Sequence, residues 1–379
     1  MHLSTREKKF EDHFRKKLAA PAAPAWRGIA ACAVLTWLAF YLQTLPFAPF
    51  TLNGAHPLSA VLLALLLGLL IRRMLPSGTG LKPGVDLVIK KLLPIGIVLL
   101  GAGLDFYDLI RVGFRVLLGA IVLIVGIIFL TRLLSRLLRV ETGQGLLIGV
   151  GTAICGTSAI VALAPVVDSK EKDIAISIAS INLLGVLAMF VFPFAGALLS
   201  LSPEVYGEWC GLAIHATPQV IAAGFAHQLD GETAGKIATI VKLTRISLLG
   251  PLIFVIGVLY ARYRRQNAVF IAPTVNYRQL MPAFLLFFVG MAMLRTMGFF
   301  PEVTLHMADR FVLGAGDRTL DLAAVLGQAG KWVITAAIAG IGLITEFRAL
   351  RTGGLRPLAL CLLATVMIAL LGLGYAFWR

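Results

Sequence analysis

Long apolar runs alternate with short polar stretches along nearly the whole chain: about 26 to 45, 58 to 71, 85 to 104, 113 to 131, 174 to 199, 237 to 260, 280 to 298, 320 to 344 and 357 to 378. Most reach the roughly 20 helical residues that a hydrocarbon core requires. The pattern predicts an all-α, polytopic membrane protein whose transmembrane domain covers 26–379. The run at 58 to 71 is short and borrows its flanks, where Arg72 and Arg73 can snorkel.

Two segments depart from this pattern. GVGTAICGTSAIV (149–161) and GLAIHATPQVIAA (211–223) sit among apolar residues yet carry glycines and hydroxyl groups, and the second adds His215, Pro218 and Gln219. They match at an offset of 60, which pairs Gly151 with Gly211, Ala153 with Ala213, Ile154 with Ile214 and Thr157 with Thr217. A second match, KKLLPIGIVLLGAGLDF (90–106) against KWVITAAIAGIGLITEF (331–347), pairs Lys90 with Lys331, Gly101 with Gly342 and Asp105 with Glu346. The two matches are not in simple tandem order, but together they point to a duplicated membrane unit.

Orientation restricts how the duplicates can run. If both polar segments crossed fully, as two broken helices among eleven spans, they would run parallel while the other matched pair ran antiparallel. One duplication does not give both. Two re-entrant hairpins, one entering from each side, leave nine spans and make every matched pair inverted. Glycine and small hydroxyl residues fit such breaks, because irregular backbone at membrane depth has to line protein or a cavity instead of lipid. A tightly packed small-residue helix interface is the competing explanation for Gly149 and Gly151.

Charge then fixes the sides. A net charge of +15 would suggest nucleic acid in a soluble protein, but 59% of the residues are hydrophobic and mean hydropathy is +0.89. The basic residues fall between spans: Arg72, Arg73, Lys82, Lys90 and Lys91; Arg132, Arg136 and Arg139; Arg262 to Arg278; Arg348 to Arg356. Stretches 45–57 and 200–210 have none. This is the positive-inside signature. It argues for the lipid bilayer as partner, against nucleic acid, and for residues 1–25, with REKKFEDHFRKK, as a retained cytoplasmic arm. The hairpin arrangement also puts DSKEKD (168–173) in the cytoplasm and SPEVYGEWC (202–210) outside.

Catalytic chemistry finds little support. Cys32, Cys155, Cys210 and Cys361 form no CxxC pair, so neither a disulfide framework nor a metal site is expected. No GxxxxGK[ST], HExxH or GxSxG motif is present. The expectation is a protein that is not an enzyme and has no cofactor.

The broken segments do support anion binding. At a helix break the second half-helix begins with unpaired N–H groups and a positive dipole end. Thr157 and Ser158 can cap one such start and Thr217 the other, with Pro218 suited to a first turn. Lys242 and Arg245 are three apart in IVKLTRISLLG and share a helix face, and Asn182 occupies the position of Lys242 at the offset of 60. The candidate substrate site is therefore Cys155, Gly156, Thr157, Ser158, Asn182, His215, Thr217, Gln219, Lys242 and Arg245. A structural ion pair for the two cations, and a hydrogen-bonded core role for His215, are the alternatives. Asp105 and Glu346 read as helix-end groups, Lys236 as interfacial, and Lys331 as a counter-charge inside its span.

With GTAICGTSAI, IHATPQVIAAGFA and IATIVKLTR in order, the chain resembles the YeiH-like inner-membrane proteins over about 58–378. That family's name refers to sulfate export, which supports an anion and no particular one. The resemblance implies a bacterial inner-membrane secondary transporter with inverted repeats and a moving core, related to cation/proton antiporter folds. Coupling to a proton or sodium ion and plain facilitated exchange are both open, and a homodimeric assembly is a further expectation for transporters of this general kind. Where the family pattern has an acidic residue after the histidine, this chain has Ala216, leaving His215 as the local titratable group. The expected function is alternating-access transport of a small anion such as sulfate or an organosulfonate. A cation/proton antiporter and a non-transporting membrane receptor are the rivals.

Overall fold

The computed structural model describes residues 24–45, 59–75, 80–265, 283–307, 316–345 and 354–378. Most of the proposed N-terminal arm, together with Arg278, Glu346, Arg348 and Arg351, lies outside the described residues.

Every apolar run contains helix among the described residues. The first are α1 (Trp26–Gln43), α2 (Ala60–Met74), and α3 (Lys82–Leu87), which continues through one π-helical turn into α4 (Leu93–Gly101). The long α5 (Phe106–Leu137) follows, and α8 (Glu171–Leu198), α11 (Gly231–Ser247), α12 (Leu249–Arg265), α13 (Ala283–Thr296), α14 (Leu322–Ile344) and α15 (Leu355–Trp378) account for the rest. Among the described residues five helical segments are long and apolar enough to cross a membrane. Helix α5 shows why the surroundings must be lipid: Tyr107, Ile110, Phe114, Leu118, Val122, Val125 and Phe129 recur every three to four residues on its outer face and are exposed. Its other face buries Val116, Ala120, Ile124 and Ile127. The chain is a multi-pass membrane protein.

Two groups of helices build the molecule. In the first, α1 to α4 pack with α13 and α14. Gly68 of α2 and Gly342 of α14 let these backbones touch: a Cβ on Gly342 would lie 2.6 Å from Leu65 O, and one on Gly68 would lie 2.5 Å from Ala339 O. Helix α14 runs antiparallel to α3 and α4, with Gly340 beside Val85 and Gly330 beside Gly96 and Leu100. The sequence match at an offset of 241 thus joins two inverted elements. The second group contains α5, α8, α11, α15 and the two polar segments.

Each polar segment folds back on itself. The first is α6 (Thr142–Ala153) and α7 (Thr157–Leu163); its ends meet where Lys170 Nζ lies 3.2 Å from Glu141 Oε2. The second is α9 (Pro203–Ala213) and α10 (Thr217–Gly224), where the Tyr206 hydroxyl donates to Ala223 O at 2.8 Å. A straight helix would hold that pair about 25 Å apart at 1.5 Å per residue. Ser202 caps the start of α9 by accepting from Val205 N, and His227 Nε2 hydrogen-bonds Leu201 O at 3.0 Å to close the base.

One element adds to the helical expectation. Between α13 and α14, β1 (Glu302–Met307) pairs antiparallel with β2 (Gly316–Asp321), with Glu302 opposite Asp321. The alternation in EVTLHM and the glycine-bearing GAGD that leads into the second strand are hairpin signals, overshadowed by the apolar runs on either side.

Candidate functional site

The tips of the two hairpins meet on α11. Helix α6 ends at Ala153 and α9 at Ala213, so each leaves its last carbonyls without intrahelical donors. At membrane depth such groups cost several kcal/mol each if left unpaired, as an order of magnitude. Lys242 and Arg245, 0% and 1% exposed, supply the missing donors. Lys242 Nζ donates to Ile154 O at 2.5 Å, to Ile214 O at 2.8 Å and to His215 O. Arg245 Nη2 donates to Thr152 O at 2.9 Å and Ala153 O at 2.6 Å, while its Nη1 donates to Gly211 O at 2.8 Å. Cations at two helix C-termini also oppose the negative dipole ends there. None of the described ion pairs includes either side chain.

The turn in the first hairpin depends on Gly156, whose φ of 71° and ψ of −120° suit only a residue without Cβ. Thr157 then opens α7, but its hydroxyl donates to Asn182 Oδ1 at 3.0 Å instead of capping the helix. In the second hairpin Gln219 does the capping: its Oε1 accepts from Ala216 N at 3.0 Å and its Nε2 donates to Asn182 O at 3.4 Å. Asn182 therefore ties both second half-helices, as Lys242 ties both first ones.

A cavity of about 680 Å³ opens against these half-helix starts. Of the residues singled out from sequence, Cys155, Thr157, Ser158, Asn182, Thr217 and Gln219 line it. Gly156, His215, Lys242 and Arg245 do not, although Lys242 holds the carbonyl of the residue just before Cys155. The facing wall comes from the other helix group: Ile89, Lys90, Phe284, Ile341, Ile344 and Thr345.

His215 is fully buried and its Nε2 lies 3.1 Å from Thr365 Oγ1 on α15. Because that hydroxyl donates its proton to Cys361 O at 2.7 Å, Nε2 carries the hydrogen and donates to Thr365, and Nδ1 has no partner among the described residues. Thr365 escaped the sequence analysis; a hydroxyl within an otherwise apolar helix was the available signal. Lys331, Lys236 and Asp105 each have a partner as well. Lys331 reaches Glu232 at 2.7 Å and Lys236 reaches the same carboxylate at 3.1 Å, joining α14 to α11. Asp105 caps α5 by accepting from Tyr107 N at 2.7 Å. All four cysteines are free and buried.

A family model described as conserved hypothetical protein 698 matches residues 27–361. The chain belongs to this family. Among curated relatives, a UPF0324 membrane protein of Corynebacterium glutamicum is 33% identical over 85% of this chain and 85% of its own length. Similar proteins of the same designation come from Bartonella henselae, 33% identical over 91% of this chain and 89% of the relative, and Bacillus cereus, 31% identical over 91% and 92%. The family thus spans both hairpins and the helices that hold them, in agreement with the resemblance read from their motifs. No solved structure matches the chain.

Proposed function

We propose that this family member is a secondary transporter that moves a small anion by alternating access. The observation that carries the reading is the cavity at the meeting point of the two inverted hairpins, lined by Thr157, Ser158, Asn182 and Thr217 and backed by the buried cations Lys242 and Arg245. Two positive charges behind the wall favour an anion, since their field is weakly screened in a low-dielectric interior. Among the described residues no carboxylate lines the cavity, which speaks against a cation/proton antiporter whose ion sits there.

The cavity lies between the two helix groups, as alternating access requires. With the basic-rich loops cytoplasmic, Lys90 and Thr345 mark a cytoplasmic mouth. The Lys331–Glu232–Lys236 cluster joins the groups on the opposite side: Lys331 precedes Thr345 by 14 residues, about 20 Å of helix. This corresponds to an inward-open carrier in the bacterial inner membrane, with a cytoplasmic N-terminus.

Purified protein in sealed liposomes should exchange labelled sulfate or methanesulfonate for internal unlabelled anion. Binding without counterflow would make the protein a receptor. Proton or sodium flux with no anion dependence would make it an antiporter.

A further inference from the structure

Resting on the anion-transport reading, we infer that the substrate is an amphipathic organic anion, with a compact oxyanion head and a hydrocarbon body, and not a fully hydrated inorganic oxyanion. The two walls of the cavity differ in kind. The hairpin side offers, beside apolar Leu183 and Val186, the hydroxyls of Ser158 and Thr217 and the amide of Asn182, whose Oδ1 accepts from Thr157 and whose N–H groups have no acceptor among the described residues. The opposite side is Ile89, Phe284, Ile341 and Ile344, each half-buried, with Thr345, whose hydroxyl donates to Ile341 O at 2.6 Å, and Lys90 at the rim.

Inorganic sulfate carries charge on all four oxygens and needs donors all round. Here one hemisphere would face aliphatic and aromatic carbon, where losing hydration without compensation is costly. An alkyl sulfonate or carboxylate meets both walls at once. Its head takes the donors at the hairpin tips and its chain covers the apolar side, with the usual gain for each buried methylene. The volume of about 680 Å³ also exceeds what a single tetrahedral ion fills and falls within the range of sites for organic ligands. Lys90 at the rim is already paired with Asp86 at 3.3 Å, so it does not turn the apolar wall into a second anion-binding face.

The test is competition in proteoliposomes against labelled methanesulfonate, using sulfate and the unlabelled methane-, butane- and hexanesulfonates. The inhibition constant should fall roughly threefold to fourfold per added methylene, and sulfate should compete least. Ile341→Ser and, separately, Phe284→Ala should flatten the chain-length series, raising the inhibition constant of hexanesulfonate far more than that of methanesulfonate. Two single substitutions guard against one of them failing to fold. Sulfate competing as strongly as hexanesulfonate, or a flat series in the wild-type protein, overturns the inference while anion transport stands. Absence of any exchange or binding with all four anions overturns both readings.

Discussion

Ile154 and Ile214, 60 positions apart and equivalent in the duplicated hairpins, give their carbonyl oxygens to one ammonium group, that of Lys242. The lysine thus lies where the two halves of the internal repeat converge, serving both in the same way. Eleven residues into α8, Asn182 plays the complementary part, as Lys242 does eleven residues into α11. A neutral amide faces the positive half-helix ends and a cation faces the negative ones, which is the assignment helix dipoles favour.

Lys242→Met keeps the length of the side chain but leaves the carbonyls of Ile154, Ile214 and His215 without their donor. At about 1–3 kcal/mol for each unsatisfied buried group, the unfolding midpoint in detergent should drop by roughly 5–10 °C. Arg245→Ala should fall comparably. A melting curve unchanged in both variants, with substrate binding lost, would return these cations to direct ligand contact, the role suggested by their spacing alone.

Gly156→Ala forces a Cβ onto a backbone with φ of 71°. The cost should be about 1–3 kcal/mol, read as a lower melting temperature and slower exchange. Gly290→Ala, where an added Cβ meets nothing within 4 Å, is the control and should behave as wild type.

Thr157→Val keeps shape and removes the hydroxyl that donates to Asn182. Exchange should slow roughly fivefold, the equivalent of one neutral hydrogen bond of about 1 kcal/mol, with little change in melting. Asn182→Asp should be more severe for an anion, because it adds a like charge beside the head group. Enhanced exchange in that variant would argue for a cationic substrate.

Hairpin topology is open to labelling. A cysteine at Lys170 should react from the cytoplasmic side, and one at Leu229, 82% exposed at the base of the second hairpin, from the other side. Reaction of both from the same side would contradict entry from opposite leaflets.

Glu232→Gln removes the charge that holds Lys331 and Lys236 together across the two helix groups. Without that contact the outward-open form should be more populated. Labelling of a cysteine replacing Thr239, nearly fully buried at 1% exposure, should then speed up. An unchanged labelling rate would reduce the cluster to an ordinary surface interaction.

Much of this architecture was legible because a bilayer imposes a simple grammar. Each of the nine apolar runs contains helix among the described residues, and Pro218 fell in the first turn of α10, where the sequence placed it. The 60-residue match located both tips. Roles within the tips were harder to read. Thr157 and Thr217 looked like caps, yet Gln219 closes α10 and Thr157 turns to Asn182, because a side chain at a break chooses among tertiary partners that spacing does not reveal. Lys242 and Arg245 looked like ligands for a solute since nothing local explained two buried cations. The explanation came from helices ending on other parts of the chain, at Ala153 and Ala213. Nor did periodicity show that Ile89, Phe284 and Ile341 would stand across the cavity from the tips.

The grip of α11 on both tips also limits how the molecule can move. Neither hairpin can swing open while its end carbonyls stay clasped by side chains that hold the other, so a picture of two gates opening in turn does not fit. On the proposed transport reading, a bound solute would travel with its binding residues, as cargo on a stiff carriage that slides past the greasy face of Phe284 and Ile341.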